Sequence, residues 1–299
     1  MGEEEEISDN LIGELEELDD KLAKVKRSYN SGEVKKAGSE YEFAIGTYYE
    51  SVEHLEPAIK EIFELSNDNR PHIEKYLDTV EYYYESFFSW KDTFEHDFSG
   101  EEAEVAAILG LARGRLLAMS ENYNSALDKL TDGFNSSPEE YQTAFCEEIG
   151  NVLYELEEYY AALESYEEAI AREWDRPGAW QGKMLTLMDL ERPGEALKAA
   201  QMVMELCDDE SPENYVAKTS TIICNLDLGK YREVVENTPV ELPEDEETDD
   251  LNALLWYYRH LALKKTGAPE HECNAAYEEA VRYNPGIESS DEVRQRPGD

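Results

Sequence analysis

Apolar residues recur along this chain every three or four positions, and almost nowhere every second one, which predicts helices throughout and no sheet. The first run is Leu15, Leu18, Leu22, Val25 and Tyr29, closed by Asn30 to Gly32. Its alternating steps of three and four form a heptad seam, read as a helix that caps a larger stack or as a short dimerising coil. A second run holds Tyr41, Ile45, Tyr48, Val52 and Leu55, and Pro57 then opens a helix through Leu65. The stretch from 76 to 98 is the most aromatic in the chain, with Tyr76, Val80, Tyr83, Phe87, Trp90 and Phe94 on one helical face. A helix so apolar all round is buried against its own chain, or meets a partner such as a second copy in a homodimer.

From residue 107 the runs come in pairs. Gly114 and Leu117 precede the turn Glu121-Asn122-Tyr123, and Ala126, Leu130 and Gly133 follow it. Ser137-Pro138-Glu139-Glu140 then reads as a helix start, with a capping serine and proline at the first helical position. The next pair carries Cys146, Ile149, Gly150 and Leu153, the turn Glu157-Glu158-Tyr159, and Ala162, Tyr166 and Ala169. Thirty-four residues on stand Trp180, Lys183, Met184, Leu187, Ala196, Ala200 and Val203. A period of 34 carrying an aromatic, a small residue and two alanines four or seven apart is a helical hairpin followed by its copy. Gly150 and Ala162 are small enough to let neighbouring helices approach closely.

On these residues the chain resembles the tetratricopeptide (TPR) family. The resemblance implies an all-α, TPR-like helical-hairpin solenoid of about five or six hairpins with an N-terminal capping helix. Residues 1–38 would hold an acidic start and the capping helix, and 39–106 two degenerate hairpins. Ile45-Gly46 keeps the motif in the first of these, but Glu42 stands at the aromatic position and Asp92 at a small one in the second. Residues 107–288 would be the clear repeats, and 289–299 a polar tail. The series is interrupted after Arg232 to Asn237, where Pro239 and Pro243 stop the helix and Glu244 to Asp250 is nearly all acid. We read 239–250 as an acidic insertion, after which Tyr257, Leu261, Cys273, Tyr277 and Ala280 resume the repeat.

Charge changes the picture most. Seventy Asp and Glu oppose 27 Lys and Arg, a net charge of −43. Such a surface repels nucleic-acid phosphates and anionic membranes, so neither is expected as a partner. Because acid recurs from Glu14 to Glu279, self-repulsion opposes the compact state unless salt screens it. That points to a high-salt, halophilic cytoplasm; the alternative is an acidic chaperone of histones or other basic proteins, whose family also carries an acidic tract inside a TPR unit. The start of the chain, Met1-Gly2 followed by four glutamates, lacks a basic, apolar leader. No apolar run reaches 18 residues, so membrane insertion is not expected. Four cysteines without a C-x-x-C pair fit a reducing compartment.

Candidate chemistry is sparse. The sequence holds no glycine-rich phosphate loop, G-x-S-x-G or H-E-x-x-H, and His271-Glu272-Cys273 lacks a fourth ligand at metal spacing. Neither a catalytic site nor a cofactor is expected. What the resemblance does imply is a concave face lined by the first helix of each hairpin, where another protein or peptide binds. By position this face holds Leu111 and Arg115; then Glu147, Asn151 and Tyr154; then Gln181, Leu185 and Met188; then Thr219 and Ile223. Asn151 matches the asparagine that clamps a terminal carboxylate in TPR adaptors, but Glu147 stands where that clamp needs a lysine. An acidic C-terminal peptide is therefore disfavoured, and a helix or extended apolar segment fits the apolar middle. The same positions could equally pack against a neighbouring helix of the chain.

Overall fold

The fold was analysed in a computed structural model, which describes residues 18, 20–53, 99–208, 211–238 and 249–287, and scattered positions between 74 and 93. Eleven helices are bounded among them: α1 (Val34–Glu53), α2 (Ser99–Met119), α3 (Tyr123–Ser136), α4 (Glu139–Glu155), α5 (Tyr159–Arg172), α6 (Pro177–Asp189), α7 (Pro193–Leu206), α8 (Pro212–Asp227), α9 (Tyr231–Asn237), α10 (Asp249–Thr266) and α11 (Glu270–Tyr283). Residues 20–30 are helical too, and no strand occurs among the described residues. The chain divides into two compact units, Met1–Glu158 and Tyr159–Asp299.

The repeat shows most clearly in the backbone of the turns. Gly32, Glu121, Glu157, Glu191, Gly229 and Gly267 all have positive φ, between 55° and 82°. At each one the following N–H reaches back five residues: Asn122 to Leu117 O, Glu158 to Leu153 O, Arg192 to Leu187 O and Lys230 to Asn225 O, at 2.8–2.9 Å. Glu33 to Ser28 O and Ala268 to Leu263 O complete the series. This is the Schellman closure, in which one left-handed residue satisfies the last carbonyls of a helix and reverses the chain. Three of the six positions use glutamate where glycine is the unstrained choice.

In the first unit, the helix at 20–30 turns through Gly32 and runs back along α1. Leu18, Leu22 and Val25 are buried, as are Ala37, Tyr41, Ala44, Ile45 and Tyr48 on α1. The heptad seam is thus covered within the chain at these positions, which fits the capping role rather than a free coil. Leu77 and Val80 are buried as well, and the Tyr48 hydroxyl donates to the Val80 carbonyl at 3.3 Å. Tyr82 is exposed, while most of the aromatic residues of 76–98, like the second helix foreseen at Pro57 to Leu65, lie outside the described residues. Arg113 on α2 donates to Asp78 at 2.7 Å and to Glu81 at 2.8 Å, fixing that segment against α2.

Helices run through two of the expected repeat boundaries. Positions 38/39 and 106/107 fall inside α1 and α2, because a repeat frame fixes a period whereas a helix begins where local sequence lets it. Lys35, Lys36 and Ala37 already favour helix after Gly32, as Glu101 to Ala107 do after Ser99. Gly46, placed by the frame at a close-packing position, is exposed.

Helix α2 is buried on most sides, from Val105 to Leu116, which its alanines and glycines permit. It packs on α3 and α4, and α3 on α4. Glycines here are sockets for large side chains: a Cβ on Gly114 would fall 2.4 Å from Leu130, and one on Gly133 2.4 Å from the Phe145 ring. In the second unit each helix packs on the next, and α6, α8 and α10 also touch in sequence. Its core alternates small and large: Ala196, Ala199, Ala200 and Ala217 against Met184, Leu187, Val203 and Cys224. The acidic stretch 239–248 lies outside the described residues, and its last two acids, Asp249 and Asp250, open α10.

Candidate functional site

Five of the candidate residues lie on α2 and α4, in the first unit. Leu111 is buried in a cluster with Ala107, Ala126, Leu130, Phe145 and Val152, so it has little surface to offer a ligand. Arg115, one turn further on, reaches α4: its Nε donates to Glu148 Oε1 at 2.6 Å, and the Glu148 side chain is only 14% exposed. Asn151 Nδ2 also donates to Glu148, at 3.4 Å to Oε2. Arg115, Glu148 and Asn151 therefore form one polar cluster in which a carboxylate already takes the asparagine amide. Glu147 and Tyr154 are half-buried beside it on α4. Glu148 was not foreseen, although its spacing of three residues from Asn151 is the helical signal that places them together.

The other five lie on α6 and α8, in the second unit. Gln181, Leu185 and Met188 are half-buried on α6. Leu185 and Met188 pack at the margin of a cluster built from Met184, Ala199, Ala200, Val203 and Ala217. Thr219 on α8 is buried, and its hydroxyl donates to the Tyr215 carbonyl at 3.0 Å, so it has little surface to offer a ligand. Ile223 is half-buried against the cluster that runs into α10. The Tyr215 hydroxyl donates to Asn252 Oδ1 at 2.7 Å, and burial holds its pKa above the usual tyrosine value.

Sequence reasoning also passed over the loop between α5 and α6. Trp174 there is 62% exposed, and its carbonyl accepts a 2.6 Å bond from Trp180 Nε1. The Lys183 ammonium lies 5.6 Å from the Trp180 ring centroid and bonds Glu167 at 2.8 Å. An isolated tryptophan between charged residues just ahead of Pro177 was the available signal.

Among the described residues no group of three His, Cys, Asp or Glu could hold a metal ion. His260 Nδ1 lies 2.8 Å from the Cys273 carbonyl, and His271 is exposed while Cys273 is buried. Burial, aided by Glu213, pushes the Cys207 thiol up, away from thiolate chemistry. No described helix is long and apolar enough to cross a membrane.

No protein-family model matches the chain, and no curated protein matches it in sequence. Solved structures do resemble it. YrrB, a TPR protein with an unusual peptide-binding site, superposes with a TM-score of 0.52 at 18% identity, over 64% of this chain and 92% of YrrB. The C-terminal part of a TPR repeat-containing protein from Cytophaga hutchinsonii gives 0.52 at 11% identity, over 93% of this chain and 100% of that one. MamA gives 0.50 at 12% identity, over 62% and 96%. The fold is that of the tetratricopeptide-repeat proteins. The expected all-α, TPR-like architecture is thereby borne out.

Proposed function

We propose that this TPR-fold chain is a non-catalytic protein–protein interaction scaffold that receives a helix or an extended apolar segment on the first helices of its hairpins. The observation that supports this is the half-buried apolar surface of Leu185 and Met188 at the margin of the α6–α7–α8 core. Methionine and leucine in that position present adaptable apolar area that becomes fully dry only when something covers it. Tyr154, half-buried on α4, offers an aromatic contact of the same kind. The Arg115–Glu148–Asn151 cluster adds a reason against a terminal carboxylate as ligand, because Glu148 already occupies the amide and guanidinium such a group would need. Of the fold's relatives, YrrB is itself a peptide binder.

The working environment in this reading is a high-salt cytoplasm, since the net charge of −43 opposes compaction until it is screened. Phosphate-bearing partners remain disfavoured by the same charge. Two variants test the proposal after a partner is captured from native lysate and identified by mass spectrometry. Tyr154→Ala with Leu185→Ala and Met188→Ala should abolish capture while circular dichroism still shows a folded helical protein. Deletion of residues 241–248 should leave capture intact. The reverse pattern would favour an acidic chaperone that holds basic proteins through its acid tract.

A further inference from the structure

The charge of this protein is not uniform. Between residues 20 and 36 stand six lysines and arginines and two acids, an excess of four positive charges in a chain whose net charge is −43. The structure places this segment at one feature, the end of the N-terminal hairpin, where the helix at 20–30 reverses through Gly32 into α1. Lys24, Lys26, Arg27, Lys35 and Lys36 are all exposed there. Lys36 pairs with Glu33 at 3.0 Å, and Arg27 Nε donates to the Ala23 carbonyl at 3.1 Å. Lys24, Lys26 and Lys35 meet no carboxylate among the described residues, although the chain carries 70 of them.

Fold stability accounts for part of this arrangement only. Lys26 and Arg27 near the end of their helix suit its dipole, but Lys35 and Lys36 occupy the first turn of α1, where acids are favoured and the helix has none. Apolar groups stand among the cations. Val34 is 51% exposed, Tyr29 is exposed too, and Phe43 is exposed with the Lys21 ammonium 5.3 Å from its ring centroid. A surface that breaks both the charge pattern of its chain and the dipole rule of its helix carries a cost that packing does not explain.

We propose that the end of the N-terminal hairpin is a second docking surface, taking an extended acidic polypeptide segment of a partner protein punctuated by aliphatic or aromatic residues. The carboxylates would meet Lys24, Lys26, Arg27 and Lys35, and the apolar residues Tyr29 and Val34. A narrow ligand is selected by the geometry of the charge. At about 1 M salt the Debye length is about 3 Å, and about 8 Å at physiological salt, so in either setting a single strand laid across the hairpin end senses the local excess of positive charge. A bilayer or a nucleic-acid duplex is far broader and would also face the acid of the surrounding helices. This surface shares no residue with Tyr154, Leu185 or Met188, and its test does not depend on that reading.

The test is fluorescence anisotropy of the full chain with a labelled synthetic peptide rich in Glu and Asp and containing two leucines. A lysine-for-acid version of the peptide, anionic phosphatidylserine vesicles and a short duplex DNA serve as competing probes. Binding of the acidic peptide should weaken at least about tenfold in a variant with Lys24→Glu, Lys26→Glu, Arg27→Glu and Lys35→Glu, since close charge pairs dominate such contacts. A milder variant with glutamine at the same four positions should show an intermediate loss, which separates charge from misfolding. Lys264→Glu with Lys265→Glu on α10, and the triple alanine change at Tyr154, Leu185 and Met188, should leave the affinity unchanged. The proposal is overturned if the acidic peptide does not bind, if charge reversal on the hairpin leaves binding as it was, or if vesicles or DNA bind more tightly than the peptide.

Discussion

The ring of Tyr166 on α5 occupies the space a side chain would need at Gly182 on α6: a Cβ there would fall 2.3 Å from two ring carbons and 2.8 Å from the hydroxyl oxygen. Tyr166 is itself only 2% exposed, so the ring has nowhere to withdraw. Gly182→Ala should therefore lower unfolding free energy by about 1–3 kcal/mol, the usual cost of overpacking. Gly194→Ala on α7 is the control. A Cβ at Gly194 meets nothing within 4 Å, and alanine should stabilise that helix by up to about 1 kcal/mol. Urea melts giving the two variants the same midpoint would refute this account of the α5–α6 interface.

How much of this was legible in the sequence follows from what the repeat does and does not encode. The period of 34, the turn triplets and the alanine positions mark where helices reverse, and the structure reverses there, at Glu121, Glu157 and Glu191. Ala162, Ala196 and Ala200 are fully buried, as small residues at close crossings must be. The period says nothing of which large side chain fills the space a small one leaves. Gly182 lies two residues away from the glycine position of the motif, and only the position of Tyr166 in space reveals its purpose. Gly46 keeps the motif position and is exposed, because a match in spacing does not bring a neighbouring helix with it. Among the candidate contacts, Leu111 and Thr219 are buried because a helix in a stack has two flanks, and helical spacing does not tell the open one from the covered one.

Glutamate at a left-handed turn position is strained in a way glycine is not. The conformation costs an ordinary residue about 1–2 kcal/mol, and glycine gives back about 0.4–1 kcal/mol of that through its freer unfolded chain. A carboxylate at a helix C-terminus also opposes the helix dipole. Glu121→Gly, Glu157→Gly and Glu191→Gly should each stabilise the protein by about 0.5–1 kcal/mol, the difference between those two effects. Gly229→Ala, at φ 67° in the equivalent turn, should destabilise it. If the glutamate-to-glycine changes lower the thermal midpoint, then the glutamate side chains make contacts that outweigh backbone strain.

Arg259 on α10 closes the end of α9. Its Nη1 donates to the Val235 carbonyl and, at 3.4 Å, to the Thr238 carbonyl, and its guanidinium lies 5.7 Å from the Trp256 ring centroid. Helix α9 has only 7 residues, far fewer than the roughly 12–15 an isolated helix needs. It therefore depends on such caps and on the burial of Val234. Arg259→Ala removes charged hydrogen bonds worth about 1.5–3 kcal/mol. Hydrogen exchange should quicken across 231–238 well before it does in α11, and a uniform change across both helices would count against a local clamp.

Salt sets the largest global effect. Some ion pairs join different elements, as Arg113–Glu81, Arg115–Glu148 and Lys183–Glu167 do, but others, such as Lys36–Glu33, Arg192–Glu195 and Arg282–Glu279, are exposed and bridge residues three apart in sequence. Pairs of that kind contribute about 0–1 kcal/mol each and hold no two helices together. Against them stands the mutual repulsion of 70 carboxylates with 27 basic groups to offset them. Screening weakens both, but the repulsion is the larger sum, so added salt should favour the folded state. Between about 0.1 M and 1 M salt the Debye length falls from about 10 Å to about 3 Å. The thermal midpoint followed by circular dichroism should climb over that range in potassium chloride and then flatten, since screening is nearly complete once the Debye length is shorter than the spacing between surface charges. The order of events matters as much as the slope: the rise should come mostly below about 1 M, where the Debye length changes fastest. A midpoint that is flat from the outset would mean that self-repulsion does not limit the stability of this protein, and the high-salt setting proposed for it would lose its physical basis.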